Sequence, residues 1–263
     1  MAYGDRTVWI GYDEKETIPY AVARHSVKSQ CHHSINVFGV VLQDLINTGL
    51  YKRPIEMRYF EGREVLWDPI SGAPMSTEFA ISRFFVLELV KKQFHANGGW
   101  VLFADCDILA RAPIDDLFLA AELQADKALV CVPHRQVVEE DTKKGGQLQA
   151  KEVDPRFPGT YSRKNWSSVM LLNRTHSANK GLTLDLLNTA PGRDLHRFCW
   201  LKNEEIGLLD PKWNHLVGVD TVKSAEAPCL VHFTNGGPWL PQYHDVEYAD
   251  EWRSAYADWI RKG

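Results

Sequence analysis

Phe103-Ala104-Asp105-Cys106-Asp107-Ile108-Leu109 sets two carboxylates one residue apart at the end of an apolar run. Acids beside a hydrophobic core are costly unless a cation or hydrogen-bond donors compensate them. A hard divalent ion is one solution. Mg2+ and Mn2+ take oxygen ligands from a few protein groups and complete their shells with phosphate oxygens and water. Capping is the other solution, in which both acids accept hydrogen bonds from amides of the turn that follows. The D-x-D pair by itself does not choose between them. Arg83 raises a related question, because a guanidinium among Ile81, Phe84 and Phe85 needs a buried partner, either a substrate anion or a protein carboxylate. His232, on the apolar run Cys229-Leu230-Val231-His232-Phe233, is of a kind that is ordinarily a satisfied core residue.

The elements that must position these residues follow from periodicity and punctuation. Val8-Trp9-Ile10-Gly11-Tyr12 is a strand, Asp13 to Thr17 a polar turn, and a helix runs from an N-cap at Thr17 through Pro19 to about residue 30. Ile35 to Val41 is a second strand, which makes the opening a βαβ unit. Residues 62–75, with Gly62, Pro69, Gly72 and Pro74, are expected to be a loop. A strongly apolar helix then starts at Ser76 and Glu78. Trp100-Val101-Leu102-Phe103-Ala104 is a continuous apolar run of strand length, so it belongs at the centre of a sheet covered on both faces, with Asp105 at its carboxyl end. Further strands are expected at Leu129–Val132, Ser168–Leu172 and Cys229–Phe233, a helix near Leu182–Leu187, and a long polar lid over Gln136–Lys164. Alternating strands and helices imply a doubly wound, mostly parallel α/β sheet, and ligands bind at the carboxyl ends of such strands.

Composition narrows the class. With 263 residues, 44% hydrophobic and 24% charged, the chain has the make-up of one globular domain. The five cysteines, Cys31, Cys106, Cys131, Cys199 and Cys229, are scattered and never form C-x-x-C, which argues against a disulfide framework or a zinc knuckle. A formal charge of −4 gives no global reason to bind nucleic acid, while a local basic patch and a peripheral membrane contact stay open. No run approaches the ~20 apolar residues of a membrane span, and the start lacks the pattern of a signal peptide, so a cytoplasmic location is expected. Trp252, Tyr256 and Trp259 at helical spacing predict a C-terminal helix packed on the domain rather than a membrane anchor.

The chain resembles the retaining GT-A glycosyltransferases of family 8, the group of glycogenin and the bacterial lipopolysaccharide galactosyltransferases. The resemblance spans most of the sequence in matching order: Trp9-Ile10-Gly11-Tyr12-Asp13, Ile81-Ser82-Arg83, the D-x-D, Ser167-Ser168-Val169-Met170-Leu171-Leu172-Asn173, Glu204-Glu205-Ile206-Gly207, Trp213-Asn214, and Val231-His232-Phe233-Thr234-Asn235-Gly236-Gly237-Pro238-Trp239. It implies a single GT-A domain over 1–263, with a nucleotide-binding half to residue 110 and an acceptor-binding half over 111–263. It implies Mn2+ (or Mg2+) held by Asp105, Asp107 and His232, and a nucleotide-sugar donor, UDP-hexose by analogy. Tyr12 and Asp13 become contacts for base and ribose, and Arg83 a donor contact. Gly236 and Gly237 let amides approach phosphate oxygens. Asn203, Glu204 and Glu205 fall on the sugar face, where they would steady charge at the anomeric carbon or hydrogen-bond hydroxyls. Retention is implied, by same-face attack with a donor phosphate oxygen taking the proton or through a covalent intermediate on Glu204 or Glu205.

Two departures from that pattern stand out. No lysine lies between His232 and Pro238-Trp239, so Lys143, Lys144 or Lys164 would have to supply that charge, and Trp166 occupies the place of a sugar-contacting amide. Rival classes fit less well. A D-x-D phosphatase normally carries its motif near the N-terminus and leaves His232 without a role. A sugar nucleotidyltransferase needs a basic, Gly-rich loop where Gly11-Tyr12-Asp13-Glu14 is acidic. A non-catalytic nucleotide-sugar or glycan-binding module is the third alternative.

Overall fold

The computed structural model describes residues 6–33, 35–93, 99–134, 163, 165–219 and 226–262. Strand β1 (Thr7–Gly11), helix α1 (Thr17–Ser29) and strand β2 (Asn36–Val40) form the opening βαβ unit, with β1 and β2 parallel. The helix start differs from expectation. Asp13 does the capping, its Oδ1 accepting the Lys15 amide at 2.9 Å in a 3-10 turn over Glu14–Glu16, and Glu16 precedes α1 without a side-chain cap. The short helix α2 (Leu42–Asn47) follows.

Most of the stretch expected as a loop is sheet. Strands β3 (Glu56–Phe60) and β4 (Arg63–Asp68) form a hairpin, and β5 (Ala73–Pro74) extends it. Glu61 and Gly62 turn it with φ of 50° and 82°, the left-handed pair that a two-residue hairpin turn requires. Because nearly all of β3 is exposed, no hydrophobic alternation marks it. The predicted apolar helix is broken into α3 (Phe79–Ser82), a 3-10 turn over Arg83–Phe85, and α4 (Val86–Gln93).

Strand β6 (Trp100–Ala104) has the predicted bounds and is buried throughout. After it come β7 (Ile108–Ala110), α5 (Ile114–Glu122), β8 (Leu129–Cys131), β9 (Val169–Asn173), α6 (Leu184–Thr189), α7 (Gly192–His196), β10 (Ile206–Leu208), β11 (His215–Leu216), β12 (Leu230–His232) and α8 (Ala249–Lys262). The main sheet has six strands in the order β10-β8-β9-β6-β1-β2, and β9 alone runs against the rest. This is the doubly wound, mostly parallel sheet that the alternation implied, and it places Asp105 just past a central strand. A smaller sheet, β11-β12-β7, grows from the residues immediately after the D-x-D.

Helix α8 packs on the domain as its aromatic spacing predicts. Trp252 is 4% exposed, its ring lies 5.5 Å from Tyr256 and 5.3 Å from Trp239, and Trp239 meets Phe233 beside the end of β12. Among the described residues no helix is long and apolar enough to cross a membrane. The expected lid over Gln136–Lys164, apart from Arg163, lies outside the described residues, as do Lys143, Lys144 and Lys164.

Gly11 ends β1 under the ring of Phe79. A Cβ added there would lie 2.4 Å from Phe79 Cγ, far inside van der Waals contact, so the first strand and α3 meet only because the side chain is missing. Gly11→Ala should therefore destabilise the protein by about 1–3 kcal/mol in urea unfolding, the usual cost of overpacking, and Phe79→Leu in the same chain should recover part of that loss. Unchanged stability in the single variant would mean that the ring swings aside freely.

Candidate active site

The D-x-D is the link between β6 and β7, and the position of His232 follows from that link. β7 pairs antiparallel with β12, so that His232 faces Ile108, and the Phe233 amide donates to the Asp107 carbonyl at 2.9 Å. Two residues from the first half of the chain and one from near its other end are thereby brought together, with one ligand atom of each within 4.8 Å of the others. His232 Nε2 lies 3.1 Å from Asp107 Oδ1 and 3.9 Å from Asp105 Oδ2. The imidazole is 2% exposed while the carboxylates are 15% and 19% exposed, so the cluster is walled on the histidine side and open on the acid side.

The ring is locked by a chain of side-chain hydrogen bonds. Ser168 Oγ donates to the Asn165 carbonyl at 2.7 Å and so accepts from Asn214 Nδ2 at 2.9 Å. That leaves Asn214 Oδ1 to accept the His232 Nδ1 proton at 3.0 Å, which directs Nε2 at the two acids. Burial alone would push the His232 pKa down, but Asp107 and then Asp105 outweigh it and the pKa is raised. Burial alone would likewise push Asp107 up, and His232 beside it holds its carboxyl below the ordinary range. Without an ion the cluster is thus held by a shared proton. An unprotonated Nε2 and two carboxylates form a donor set that a divalent cation fits, and the histidine's other nitrogen is already bonded to a second-layer amide as metal-bound histidines ordinarily are.

Arg83 is the buried cation of the site and its partner is a protein carboxylate. Its Nη1 lies 2.8 Å from Asp105 Oδ1 and donates to the Ser167 carbonyl at 3.0 Å, and its Nε donates to the Phe79 carbonyl at 3.2 Å. The rings of Phe79 and Phe103 flank the guanidinium at 5.3 Å and 5.1 Å. The ion-pair alternative for Arg83 is therefore the one present in the chain as it stands.

Tyr12, half-buried at the end of β1, meets Tyr20 edge-to-face at 5.1 Å. Asp13 is 5% exposed and both its oxygens take backbone amides, from Lys15 at 2.9 Å and Glu78 at 3.0 Å. It ties the end of β1 to the start of α3. Gly236 has a φ of 123°, and its amide donates to Phe233 at 2.7 Å, inside its own turn. A Cβ on Gly236 would strike Tyr243, and one on Gly237 would lie 2.0 Å from the Trp239 ring, so close packing of aromatic side chains is a sufficient reason for both glycines.

Asn203, Glu204 and Glu205 are not brought to the cluster. They form a 3-10 turn that leads into β10, and Ile206 is in register with Leu129, then Leu172, then Val101. That level is the beginning of β6, whereas Asp105 follows its end. Asn203 accepts from Arg163, and Glu205 accepts the Lys202 amide at 2.8 Å. Trp166 is 1% exposed with its Nε1 bonded to the His134 carbonyl at 3.1 Å, so its ring is packed in the core.

Two residues that sequence reasoning passed over belong here. The buried Cys106 thiol, between the two acids, donates to Glu16 Oε2 at 3.0 Å. Burial raises the Glu16 carboxyl to about 7; the Cys106 thiol pulls it down, and Asp107, Asp13 and Asp105 add to the rise. The folded-state value lies above the ordinary 4.5, so ionising Glu16 costs the folded state nothing below about pH 4.5 and its full penalty above about pH 7. Glu16→Gln should raise the stability of the metal-free protein by about 3 kcal/mol near pH 8 and by little near pH 4, since one pKa unit is worth 1.36 kcal/mol. Urea titrations at the two pH values give the answer, and a gain that is the same at both would show that Glu16 is not held neutral.

No protein-family model matches the chain. Among solved structures it is similar to the apo form of the bifunctional glycosyltransferase WbbM, with a TM-score of 0.61 and 16% identity, covering 98% of this chain and 50% of that one, so it spans half the length of that protein. It is also similar to the galactosyltransferase LgtC in complex with donor and acceptor sugar analogs, with a TM-score of 0.55, 14% identity, and 96% and 95% of the two chains covered. A third similarity is to mouse xyloside xylosyltransferase 1, with a TM-score of 0.52, 15% identity, and 90% and 99% covered. At such identities these likenesses establish the fold, which is GT-A. Among curated proteins, "Protein CDI" of Arabidopsis thaliana is 36% identical over 249 residues, which are 93% of this chain and 83% of that protein, and the chain belongs to the family of that protein.

Proposed function

We propose that the chain is a metal-dependent glycosyltransferase that moves a hexose from a nucleotide-sugar, UDP-hexose, to a hydroxyl of a glycan or other acceptor with retention at the anomeric carbon. The observation that carries this reading is the meeting of Asp105, Asp107 and His232 within 4.8 Å at the carboxyl end of a central strand, where doubly wound sheets bind their ligands. These three residues would hold Mn2+ or Mg2+, and the single imidazole favours Mn2+. When bound, the ion supplies Lewis-acid neutralisation of charge on the departing nucleoside diphosphate.

The chain's own groups do the rest. Asn214 keeps His232 Nε2 aimed at the acids, and Arg83 keeps Asp105 in place while offering positive charge to the donor. Tyr12 would stack on the base and Asp13 accept a ribose hydroxyl. The Gly236-Gly237 turn would border the diphosphate. In this reading residues 1–110 bind the nucleotide and 111–263 bind the acceptor, and retention comes from the resemblance to family 8.

Three tests follow. Mn2+-dependent hydrolysis of UDP-hexoses should fall about 10²–10³-fold in Asp107→Asn and His232→Ala, the scale of losing several kcal/mol of charge stabilisation. Asn214→Ala should lower Mn2+ affinity, read by calorimetry, about 10–100-fold, because it frees the ligand ring without removing it. Proton spectra of the fresh product should show the donor's anomeric configuration, and an inverted anomer would overturn retention. If no nucleotide-sugar is hydrolysed or bound with Mn2+, the proposal itself fails.

A further inference from the structure

The hairpin of β3 and β4 has a fixed base and an open outer strand. Val65 and the Arg53–Asp68 pair are buried, and Arg53 Nη1 donates to the Leu187 and Ala190 carbonyls at 3.0 Å and 2.7 Å, which roots the hairpin in the domain. β3 is the outer strand of its sheet, and Glu56, Met57, Arg58 and Tyr59 are all exposed. Met57 at 59% and Tyr59 at 77% put two large apolar side chains on one face, while Glu56 and Arg58 alternate with them on the other. Across a two-residue hairpin turn the hydrogen-bonded pairs begin at the flanking residues, here Phe60 and Arg63, and recur at every second position. Phe60, Arg58 and Glu56 therefore bond β4. Met57 and Tyr59 each direct an N–H and a C=O away from it.

Folded proteins ordinarily block such an edge. This chain does so at β10, the outer strand of the main sheet, where the Gln124 side chain accepts from the Leu208 amide and donates to the Leu208 carbonyl, both at 3.1 Å. β3 carries charges instead, and their signs decide what they admit. A row of like charges would repel a second copy of the strand. Glu56 and Arg58 are opposite in sign, 2.7 Å apart, with side chains 49% and 45% exposed. When two copies of β3 run antiparallel with Met57 opposite Met57, Glu56 of each copy faces Arg58 of the other, and Tyr59 of each faces Ile55 of the other. That register matches charge on one face and apolar surface on the other, and it uses the outward backbone groups of Met57 and Tyr59. The register with Arg58 opposite Arg58 sets like charges against each other.

We propose that β3 is an interface for a second copy of this chain, the two strands pairing antiparallel about a two-fold axis at Met57 so that two hairpins become one continuous sheet. One short strand on each side is less than a standard interface, so the dimer should be reversible, with a dissociation constant in the micromolar range. Sedimentation of the full chain from micromolar to millimolar concentration tests it. The wild type should dimerise. Arg58→Glu should raise the dissociation constant about tenfold or more, because two attractive cross-strand pairs become repulsive, and Glu56→Arg added to Arg58→Glu should restore it. In the wild type, hydrogen exchange at the Met57 and Tyr59 amides should slow as the concentration rises through the dissociation constant. A wild type that stays monomeric at millimolar concentration, or exchange at those two amides that is independent of concentration, overturns the proposal. So does a dimer indifferent to Arg58→Glu, or a loss that the double exchange leaves unrestored.

Discussion

The structure depends on a charge problem set by a strand that is apolar from end to end. β6 is buried along its whole length and delivers Asp105 and Asp107 directly from the core, where an uncompensated carboxylate costs several kcal/mol. Each acid has its own compensation from a remote segment. Arg83 comes from the 3-10 break in the helical segment before β6, and His232 comes from the far end of the chain across the β7–β12 ladder. Each compensating group is itself fixed by a second layer, two carbonyls and two aromatic rings for Arg83, Asn214 and Ser168 for His232. The arrangement is preorganised by packing, so an ion would find its ligands in place and would displace only the proton on Nε2.

How much of this the sequence disclosed varies with the range of the interaction that decides it. Trp100–Ala104 was legible to the residue because five apolar residues followed by an acid can hardly be anything but a core strand and its exit. The choice between capping and an ion for Asp105 and Asp107 could not be made locally, since the group that meets both acids is His232, and only the family resemblance pointed there. The reason is physical: the ladder that brings His232 in is three residues long on each side, too short to show a period. Asn214 lay in a quoted motif, but its purpose is a contact with a residue 18 positions away and has no signature of its own.

The same resemblance assigned the sugar face to a turn that the sheet register holds apart from the cluster. Glu204 and Glu205 have the right chemistry, and nothing in the residue types warns against them, but sheet register puts their turn at the level where β6 begins. Register is a non-local property that order along the chain does not determine. Helix α7, five residues long and unmarked by any periodicity, packs on α3 instead, which it can approach because Gly192 has no side chain. The hairpin of β3 and β4 escaped for the opposite reason: an exposed strand carries no buried face to read.

The acids around the cluster outnumber its bases. Asp13, Asp105 and Asp107 contribute three negative charges, and burial keeps Glu16 largely neutral up to about pH 7 with the Cys106 thiol bonded to it. Arg83 contributes one positive charge, and with a neutral His232 the sum is two negative charges, the complement of one divalent cation. Had Glu16 ionised freely, the ion would leave a residual negative charge facing the donor. With Glu16 neutral the loaded site has no net charge, and a diphosphate would meet a local dication rather than a field of repelling acids. In the proposed reading, four acids and two bases buried together would leave a place for one divalent cation between the cluster and a donor diphosphate.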